Sequence, residues 1–454
     1  MLHIGLATRD ITPTRPAVIP GQMHIRIGRA ALDPLTLTAM ALDGGTPDGR
    51  AVIISCDQCY VTRELNDEVA TRLGRRIPEL AGRPVFLNPT HTHASFQIDE
   101  IGYPDPGVGV MSASEGREWL IAHAVEAAVE AWEQRRARQI GRAFAHAVVG
   151  CNRRAVYASG LARMYGSTAD PQYRHVEGGA DHTLDLIFIW DEDGTLAGIV
   201  IDLPCPAQVD SAIHDFSADF WHEIREELRR RLGAHLLIVP LCGAAGDQSP
   251  DLLLHSRLEA EMRARTGRSV RQDIAMRVAD AVTGALAWTK PMSGPVPVAC
   301  ISVPAHLTPR FVTMQERDWA VARREEAYGR GDTPGDLWPQ RLKPVIEAYD
   351  HNRPLTEVHP TLYILRLGDA VIATCPFELY LDLGLQIKER SPAAQTLLVE
   401  LAGGCDGYLP SERSILAGDY GSHPVSSAVG VKGGQDLVEA TLAAIASLFP
   451  EGRG

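Results

Sequence analysis

The chain lacks any apolar run long enough to cross a membrane. None of its 454 residues belongs to a stretch of about 18 consecutive apolar residues, roughly the shortest that spans a bilayer as a helix. The N-terminal sequence MLHIGLATRD also lacks a basic segment followed by an apolar core, which a secretory signal requires. We therefore predict a bacterial-type soluble, cytoplasmic protein with no stable membrane anchor.

Basic residues are also too few for a polyanionic partner. Lysine and arginine together number 44 against 57 aspartates and glutamates, so the formal net charge is −13. A nucleic-acid-binding protein needs a basic excess to neutralise phosphates, and this chain has the opposite. We predict a small-molecule substrate and no nucleic acid, while the sequence leaves open whether the chain forms a homo-oligomer.

The cysteines form no disulfide framework. There are 8 of them, scattered and mostly within or beside apolar strands, as is usual in a reducing compartment. The pair Cys56 and Cys59 has the Cys-x-x-Cys spacing, but no second pair follows at the interval of a zinc ribbon. We interpret these two residues as half-buried thiols.

Apolar runs alternate with helical patterns, which is typical of an α/β protein. Strands are predicted at 51–55, 85–87, 184–190, 199–203, 236–241, 370–374 and 396–401, with a hairpin turn at 191–194. Helices are predicted at 115–135, 271–288, 314–328 and 379–389, and from a Ser217 cap to Gly233. The Pro- and Gly-rich stretch at 331–339 is interpreted as a loop, so residues 1–454 form a single predicted domain.

Polar residues follow several of these strands. His91 and His93 come just after strand 85–87, and residues two apart in an extended chain point the same way, as a pair of zinc ligands would. Cys205, the loop 243–249, Glu378 and Tyr408 also lie near strand ends, where α/β proteins place their active sites. Singly, each has an ordinary structural explanation, such as a helix-opening carboxylate at Glu378 or a buried thiol at Cys205.

Seven short motifs in one order assemble these residues. They are DIT at 10–12, THTHAS at 90–95, NR at 152–153, SAD at 217–219, GDQSP at 246–250, PFE at 376–378 and GYLPS at 407–411. In this order the chain resembles the catalytic domain of the neutral ceramidase family, zinc-dependent amidases that cleave the amide of ceramide. The resemblance implies an α/β fold with two mixed β-sheets flanked by helices, layered α-β-β-α.

The resemblance also implies roles for individual residues. His91, Glu378 and Tyr408 match zinc ligands of the family, and His93 matches its proton donor. Arg153, Ser249 and Tyr420 match residues around the substrate carbonyl.

One ligand position differs from the family. Its second histidine ligand, counted back from His214 and Asp219, is replaced by Cys205. A cysteine thiolate is a good zinc ligand, so Cys205 is the expected replacement. Alternatively, zinc is bound elsewhere or lost, with His222 as a substitute that is more easily explained as structural.

The expected reaction is attack by zinc-activated water on an amide (N-acyl) bond of a small or amphiphilic substrate. Ser249 either contacts the carbonyl or acts as a nucleophile. Secreted ceramidases carry a signal peptide and a C-terminal β-sandwich domain, neither of which we expect here, so the reaction class is better supported than the substrate. The alternatives are a metal-dependent hydrolase of an ester or glycosidic bond, and a non-catalytic homologue with a decayed metal site.

Overall fold

The computed structural model describes residues 2–329 and 338–450. The strands are β1 His3–Asp10, β2 Ala17–Ile19, β3 Arg26–Gly28, β4 Thr36–Asp43, β5 Arg50–Cys56, β6 Val85–Pro89, β7 Arg136–His146, β8 Cys151–Asn152, β9 Arg154–Tyr157, β10 Ala162–Met164, β11 Tyr173–Val176, β12 Thr183–Asp191, β13 Leu196–Leu203, β14 Leu237–Cys242, β15 Gln248–Ser249, β16 Val298–Pro304, β17 Thr361–Leu367, β18 Ala370–Thr374, β19 Glu378–Leu379, β20 Gln395–Val399 and β21 Tyr408–Leu409. The helices are α1 Arg63–Arg76, α2 Ala113–Glu133, α3 Phe220–Leu232, α4 Ser256–Thr266, α5 Val270–Trp288, α6 Met314–Gly329, α7 Trp338–Asp350, α8 Leu381–Arg390, α9 Glu412–Ala417 and α10 Val431–Leu448.

A large mixed sheet carries most of the strands. Its eight strands run in the order β14-β13-β12-β7-β1-β4-β5-β6. The β13–β14 and β5–β6 pairs are parallel and the remaining neighbours are antiparallel. Strands β12 and β13 pair antiparallel across a tight turn at which Gly194 has φ +86°, so the predicted hairpin is confirmed.

A second, four-stranded mixed sheet packs against the first. Its order is β16-β17-β18-β20, with β18 and β20 parallel. One buried cluster contains Ile53 and Phe86 of the large sheet together with Leu365, Ile372 and Leu397 of the small one. Strands covered on both faces read as continuous apolar runs rather than alternating ones, which is why β5 and β18 were visible in the sequence.

Helices cover the other faces of both sheets. Val52 and Ile54, which flank Ile53 along β5, pack with residues of α1 and α2. Residues of α3 and α5 form a second cluster with β12 and β13, and residues of α8 and α10 form a third with β17 and β18. Each fully buried Leu or Ile in these clusters contributes roughly 1.5–3 kcal/mol to stability.

The predicted mixed α/β character is confirmed. Each predicted strand overlaps one of β5, β6, β12, β13, β14, β18 and β20, and the predicted helices overlap α2, α3, α5, α6 and α8. The N-cap of α3 differs from the prediction. It is Asp219 rather than Ser217, and its carboxylate accepts the Phe220 N–H. The predicted loop at 331–339 lies mainly outside the described residues, and no described helix is long and apolar enough to cross a membrane.

Candidate active site

Loops that follow parallel strands meet at one place. The Ala207 N–H, after β13, donates to the Thr90 carbonyl after β6 (3.2 Å). The Glu400 carboxylate, just after β20, accepts the N–H of Ala245 (2.9 Å) after β14 and that of Leu379 (3.0 Å) after β18. These hydrogen bonds join segments that are far apart in sequence, and the chemically active side chains lie among them.

His91 is held in an unusual backbone conformation. Its φ is +61°, in the left-handed region that a non-glycine residue adopts only when its surroundings impose it. The hydroxyls of Thr90 and Thr92 provide that constraint by donating to the Asp57 carboxylate (3.1 Å) and the Ser217 carbonyl (2.9 Å). A carbonyl only accepts, so His91 Nδ1, 2.6 Å from the Cys59 oxygen, carries a proton, and Nε2 is the ring nitrogen left for another partner.

Glu378 faces Nε2 of the His91 ring. Its carboxylate lies 3.4 Å from His91 Nε2 and is 14% exposed. Strand β19 places it directly opposite Tyr408 in the parallel β19–β21 pair, and the Tyr408 hydroxyl donates to it. Burial raises the pKa of Glu378, but the His91 ring, the Tyr408 hydrogen bond and the Arg153 charge outweigh this and hold the pKa below its ordinary value. The carboxylate is therefore ionised at neutral pH.

A buried arginine lies beside Tyr408. The Arg153 guanidinium donates to the Gly246 carbonyl (2.9 Å), the Tyr408 hydroxyl (3.3 Å) and the Tyr165 hydroxyl (3.1 Å). The Tyr420 ring meets the Tyr408 ring edge to face, with centroids 5.5 Å apart. Arg153 and Tyr420 thus both adjoin Tyr408.

Ser249 is fully buried and is linked to Arg153 through Tyr165. Its Oγ accepts from the Tyr165 hydroxyl (3.3 Å) and the Asp251 N–H (3.0 Å). Neither partner is a base, whereas a nucleophilic serine needs one within hydrogen-bond reach. The geometry therefore favours a supporting role, through Tyr165, over a covalent one.

His93 lies next to His91, with ring centroids 5.2 Å apart. The amide nitrogen of Gln208 is 2.9 Å from Nε2 and can only donate, so the proton of the neutral ring is on Nδ1. Nδ1 is buried and has no hydrogen-bond partner among the described residues. Burial, followed by the charges of His91, Arg26 and Arg153, lowers the pKa of His93 well below its ordinary value. The ring thus presents an unused N–H.

The candidate metal cluster contains a cysteine other than the expected one. Cys59 Sγ, a ring nitrogen of His91 and a ring nitrogen of His93 all lie within 4.8 Å of one another. The Cys205 thiol instead donates to the Pro206 carbonyl (3.5 Å) and packs beneath Gly150. Over the described parts of the chain, Cys205 belongs to no such cluster, because its short side chain ends within its own loop.

The sequence analysis did not place Cys59 near His91, although the order of the strands indicates that they are close. Cys59 follows β5, His91 follows β6, and those two strands are parallel neighbours. Loops after parallel neighbours lie side by side. The substitute His222 is on α3, where it lines a separate cavity with Asp210 and Arg271.

Two cavities meet at this cluster. The larger, about 560 Å³, is bordered by Cys59, His91, His93, Glu378, Tyr408 and Tyr420, and by an apolar wall that includes Met23, Ile101, Tyr103, Val345, Leu355 and Val425. The smaller, about 420 Å³, shares Met23, His93, Tyr408 and Tyr420 with it but is otherwise more polar, with Arg153, Tyr165, Gln208, Ser211 and Asp251. A substrate bound across the cluster would thus meet an apolar cavity on one side and a polar one on the other.

Comparison with known proteins identifies the fold. No protein-family profile matches the sequence, and no curated protein matches it. Among solved structures, a ceramidase complexed with C2 superposes with a TM-score of 0.70 at 14% identity, over 99% of this chain and 75% of that one. Neutral ceramidase from Pseudomonas aeruginosa superposes with a TM-score of 0.68 at 15% identity, over 99% and 74%. The expected resemblance is confirmed, and the chain has a fold similar to that of neutral ceramidases.

Proposed function

We propose that the protein is a zinc-dependent hydrolase that cleaves an amide (N-acyl) bond of a small or amphiphilic substrate. The observation that carries this proposal is the buried group of His91, Glu378 and Tyr408 at the junction of two cavities. A fold similar to that of neutral ceramidases supports an amide hydrolase.

The donor set fits zinc. His91 Nε2 is the ring nitrogen that the Cys59 carbonyl does not use, and the Glu378 carboxylate is ionised and 3.4 Å away. Nitrogen and oxygen ligands on a tetrahedral zinc, with bonds of about 2.0–2.1 Å, lie about 3.4 Å from each other. The spacing of these two atoms therefore needs little adjustment, and Tyr408 supplies a further oxygen.

When bound, zinc supplies water activation, since it lowers the pKa of a coordinated water toward about 7. Arg153 and Tyr420 bind the carbonyl oxygen and stabilise the negative charge that develops on it. His93 takes a proton that the attacking water gives up, and the resulting imidazolium gives its Nδ1 proton to the leaving nitrogen as the carbon–nitrogen bond breaks, so the ring ends neutral. Ser249 holds Tyr165 against Arg153.

The two cavities support an assignment of substrate halves. The apolar wall of the larger cavity suits an acyl chain, because burying each methylene contributes about 0.8 kcal/mol. The more polar smaller cavity suits the amine or its headgroup. We propose a small-molecule partner on this basis, and no nucleic acid.

The fold supports this site as one unit. We propose the layered order α-β-β-α for the chain as a single domain, because buried clusters join α1 and α2 to the large sheet, the two sheets to each other, and α8 and α10 to the small sheet.

Metal analysis and a substrate panel test the proposal together. We expect the tag-free protein to contain about one zinc per chain and to hydrolyse N-acyl amides in a panel that also includes esters and glycosides. His91→Ala should lose zinc and activity, whereas His93→Ala should keep zinc and lose turnover. The proposal fails if the protein binds no transition metal and chelators leave its properties unchanged. Metal-dependent activity on esters or glycosides alone would favour the alternative hypothesis, a metal-dependent hydrolase of an ester or glycosidic bond.

A further inference from the structure

We propose that Cys59 Sγ is the thiolate ligand of the metal, at the centre where the order of motifs places Cys205. This inference rests on the proposed metal site. It concerns which thiol completes that site, and it can fail while the site itself stands.

The backbone of Cys59 is fixed toward His91. Its carbonyl accepts the His91 Nδ1–H (2.6 Å), and its N–H donates to the Ser95 hydroxyl (3.1 Å). Both hydrogen bonds connect the loop after β5 to the loop after β6. The backbone from which the thiol projects is therefore held next to His91.

The thiol itself is left without a hydrogen bond. Among the described residues, the buried thiols of Cys56, Cys205, Cys242 and Cys375 each donate to an oxygen, whereas those of Cys59 and Cys300 do not, and of these two only Cys59 borders the cavity. Cys59 also borders the larger cavity together with His91 and Glu378. A buried sulfur with no protein partner, facing a cavity that contains two imidazoles, is the arrangement that a metal would complete.

The spacing is compatible with coordination. Cys59 Sγ lies within 4.8 Å of a ring nitrogen of His91. With bonds of about 2.3 Å to sulfur and about 2.05 Å to nitrogen, these atoms would be about 3.6 Å apart on a tetrahedral zinc. Coordination replaces the thiol proton, which is released to solvent.

A thiolate would also change the chemistry of the site. Together with Glu378, it would bring two negative charges to a divalent cation and so weaken its ability to acidify water. Water activation would then be poorer than with neutral ligands. This predicts faster hydrolysis of activated acyl groups, such as esters, than of plain amides.

Cobalt substitution identifies a thiolate ligand directly. Cobalt(II) bound by a thiolate shows an intense near-ultraviolet charge-transfer band, which cobalt bound by nitrogen and oxygen alone does not. We expect this band in the wild-type protein and in the matched control Cys205→Ser. In Cys59→Ser we expect the band to disappear and cobalt affinity to fall by more than about 100-fold, since even partners of ligands contribute about 10- to 100-fold.

The cobalt spectra of the variants distinguish the possible ligands. Loss of the band in Cys205→Ser but not in Cys59→Ser would restore the sequence-based assignment and overturn ours. A protein that binds one cobalt with no charge-transfer band would overturn the thiolate while leaving the hydrolase proposal intact. Failure to bind cobalt would defeat both.

A second measurement covers the case in which Cys59→Ser does not fold. X-ray absorption at the zinc edge of the wild-type and Cys205→Ser proteins should show one sulfur at about 2.3 Å in both. Absence of sulfur from the wild-type spectrum, or its loss in Cys205→Ser, would contradict the proposal.

Discussion

Arg153 is the residue whose surroundings suit oxyanion stabilisation best. It is 3% exposed, its Nε has no hydrogen-bond partner among the described residues, and it borders the smaller cavity. Removing one such donor typically costs about 2.7–4 kcal/mol of transition-state stabilisation. We therefore expect Arg153→Lys to lower kcat by about 10²- to 10³-fold without loss of zinc.

Steady-state kinetics and metal analysis check this prediction. Arg163→Lys is the matched control, because that guanidinium stacks on the Tyr157 ring (4.9 Å) and borders neither cavity. An unchanged kcat in Arg153→Lys would exclude the proposed role. Loss of zinc in the same variant would instead make Arg153 a structural support for Tyr408.

His423 predicts a pH dependence of stability that is separate from the metal centre. Its Nε2 accepts the Asp419 N–H (2.8 Å), and its ring stacks on Trp319 of α6 with centroids 4.0 Å apart. Burial, reinforced by the Arg310 charge, lowers the pKa of His423 to about 4. In the unfolded chain the pKa is about 6.5.

Between these two values the unfolded chain binds more protons than the folded protein. His423 therefore leaves stability intact above about pH 6.5 and lowers the free energy of unfolding as the pH falls toward 4, by up to about 3 kcal/mol. Urea unfolding of wild type and His423→Gln at several pH values measures the difference. The variant should lose less stability between pH of about 6.5 and about 4, and parallel pH profiles would contradict the prediction.

At the residue scale, the order of motifs named most of the residues that the structure brings together, but not Cys59. Among the residues named by the motifs or their spacing, Glu378 and Tyr408 are paired in β19 and β21, Glu378 lies 3.4 Å from His91, and Arg153 and Tyr420 both contact Tyr408. The sequence predicted an ordinary thiol at Cys59, since no local pattern joins a single cysteine to histidines in another loop. The tertiary pairing of β5 with β6 brings it to His91.

At the scale of elements, two very short strands position the centre. Glu378 and Tyr408 face each other in β19 and β21, which have two residues each. The sequence instead suggested that Glu378 opens a helix, whereas α8 begins at Leu381. Two residues carry no periodicity, so such strands cannot be predicted from a pattern. Helix α4 escaped prediction for a related reason, because it has no buried residue.

Close packing against β19 gives a test at this scale. A Cβ added at Gly246 would lie 2.4 Å from the Glu378 carbonyl oxygen. That oxygen belongs to the backbone, so it can move away only if β19 moves. We expect Gly246→Ala to displace β19, to lower stability by roughly 1–3 kcal/mol and to weaken zinc binding.

Thermal unfolding and zinc titration measure both effects. Gly284→Ala is the matched control, because nothing lies within 4 Å of its added Cβ and the residue is in α5. Alanine there should be neutral or stabilise by up to about 1 kcal/mol. Wild-type zinc affinity in Gly246→Ala would show that β19 does not need this close approach.

At the scale of the whole molecule, the larger cavity is assembled from distant segments. Its wall combines residues near the N-terminus, such as Met23, with Ile101, with Val345 of α7 and with Leu355 and Val425 beyond it. The sequence predicted α6 but not α7, which contains an internal proline, Pro344. The apolar wall therefore could not be predicted, because no motif joins these segments and only the tertiary fold does.

This wall predicts how activity depends on acyl chain length. If the chain occupies the larger cavity, each added methylene should raise kcat/KM about fourfold until the apolar wall is covered, which corresponds to about 0.8 kcal/mol per methylene. Leu355 borders the cavity and packs on the cluster of α6 and α7. Leu355→Ala should lower kcat/KM for long-chain substrates by up to about 30-fold, or about 2 kcal/mol, and leave the N-acetyl substrate nearly unaffected.

A homologous series of N-acyl substrates measures this dependence. Leu416→Ala serves as the matched control, because Leu416 is 77% exposed and borders neither cavity. An equal loss at every chain length would mean that Leu355 supports the fold rather than the acyl chain. A wild-type profile that is flat with chain length would place the acyl group elsewhere, because a chain bound against apolar side chains must gain free energy with each buried methylene.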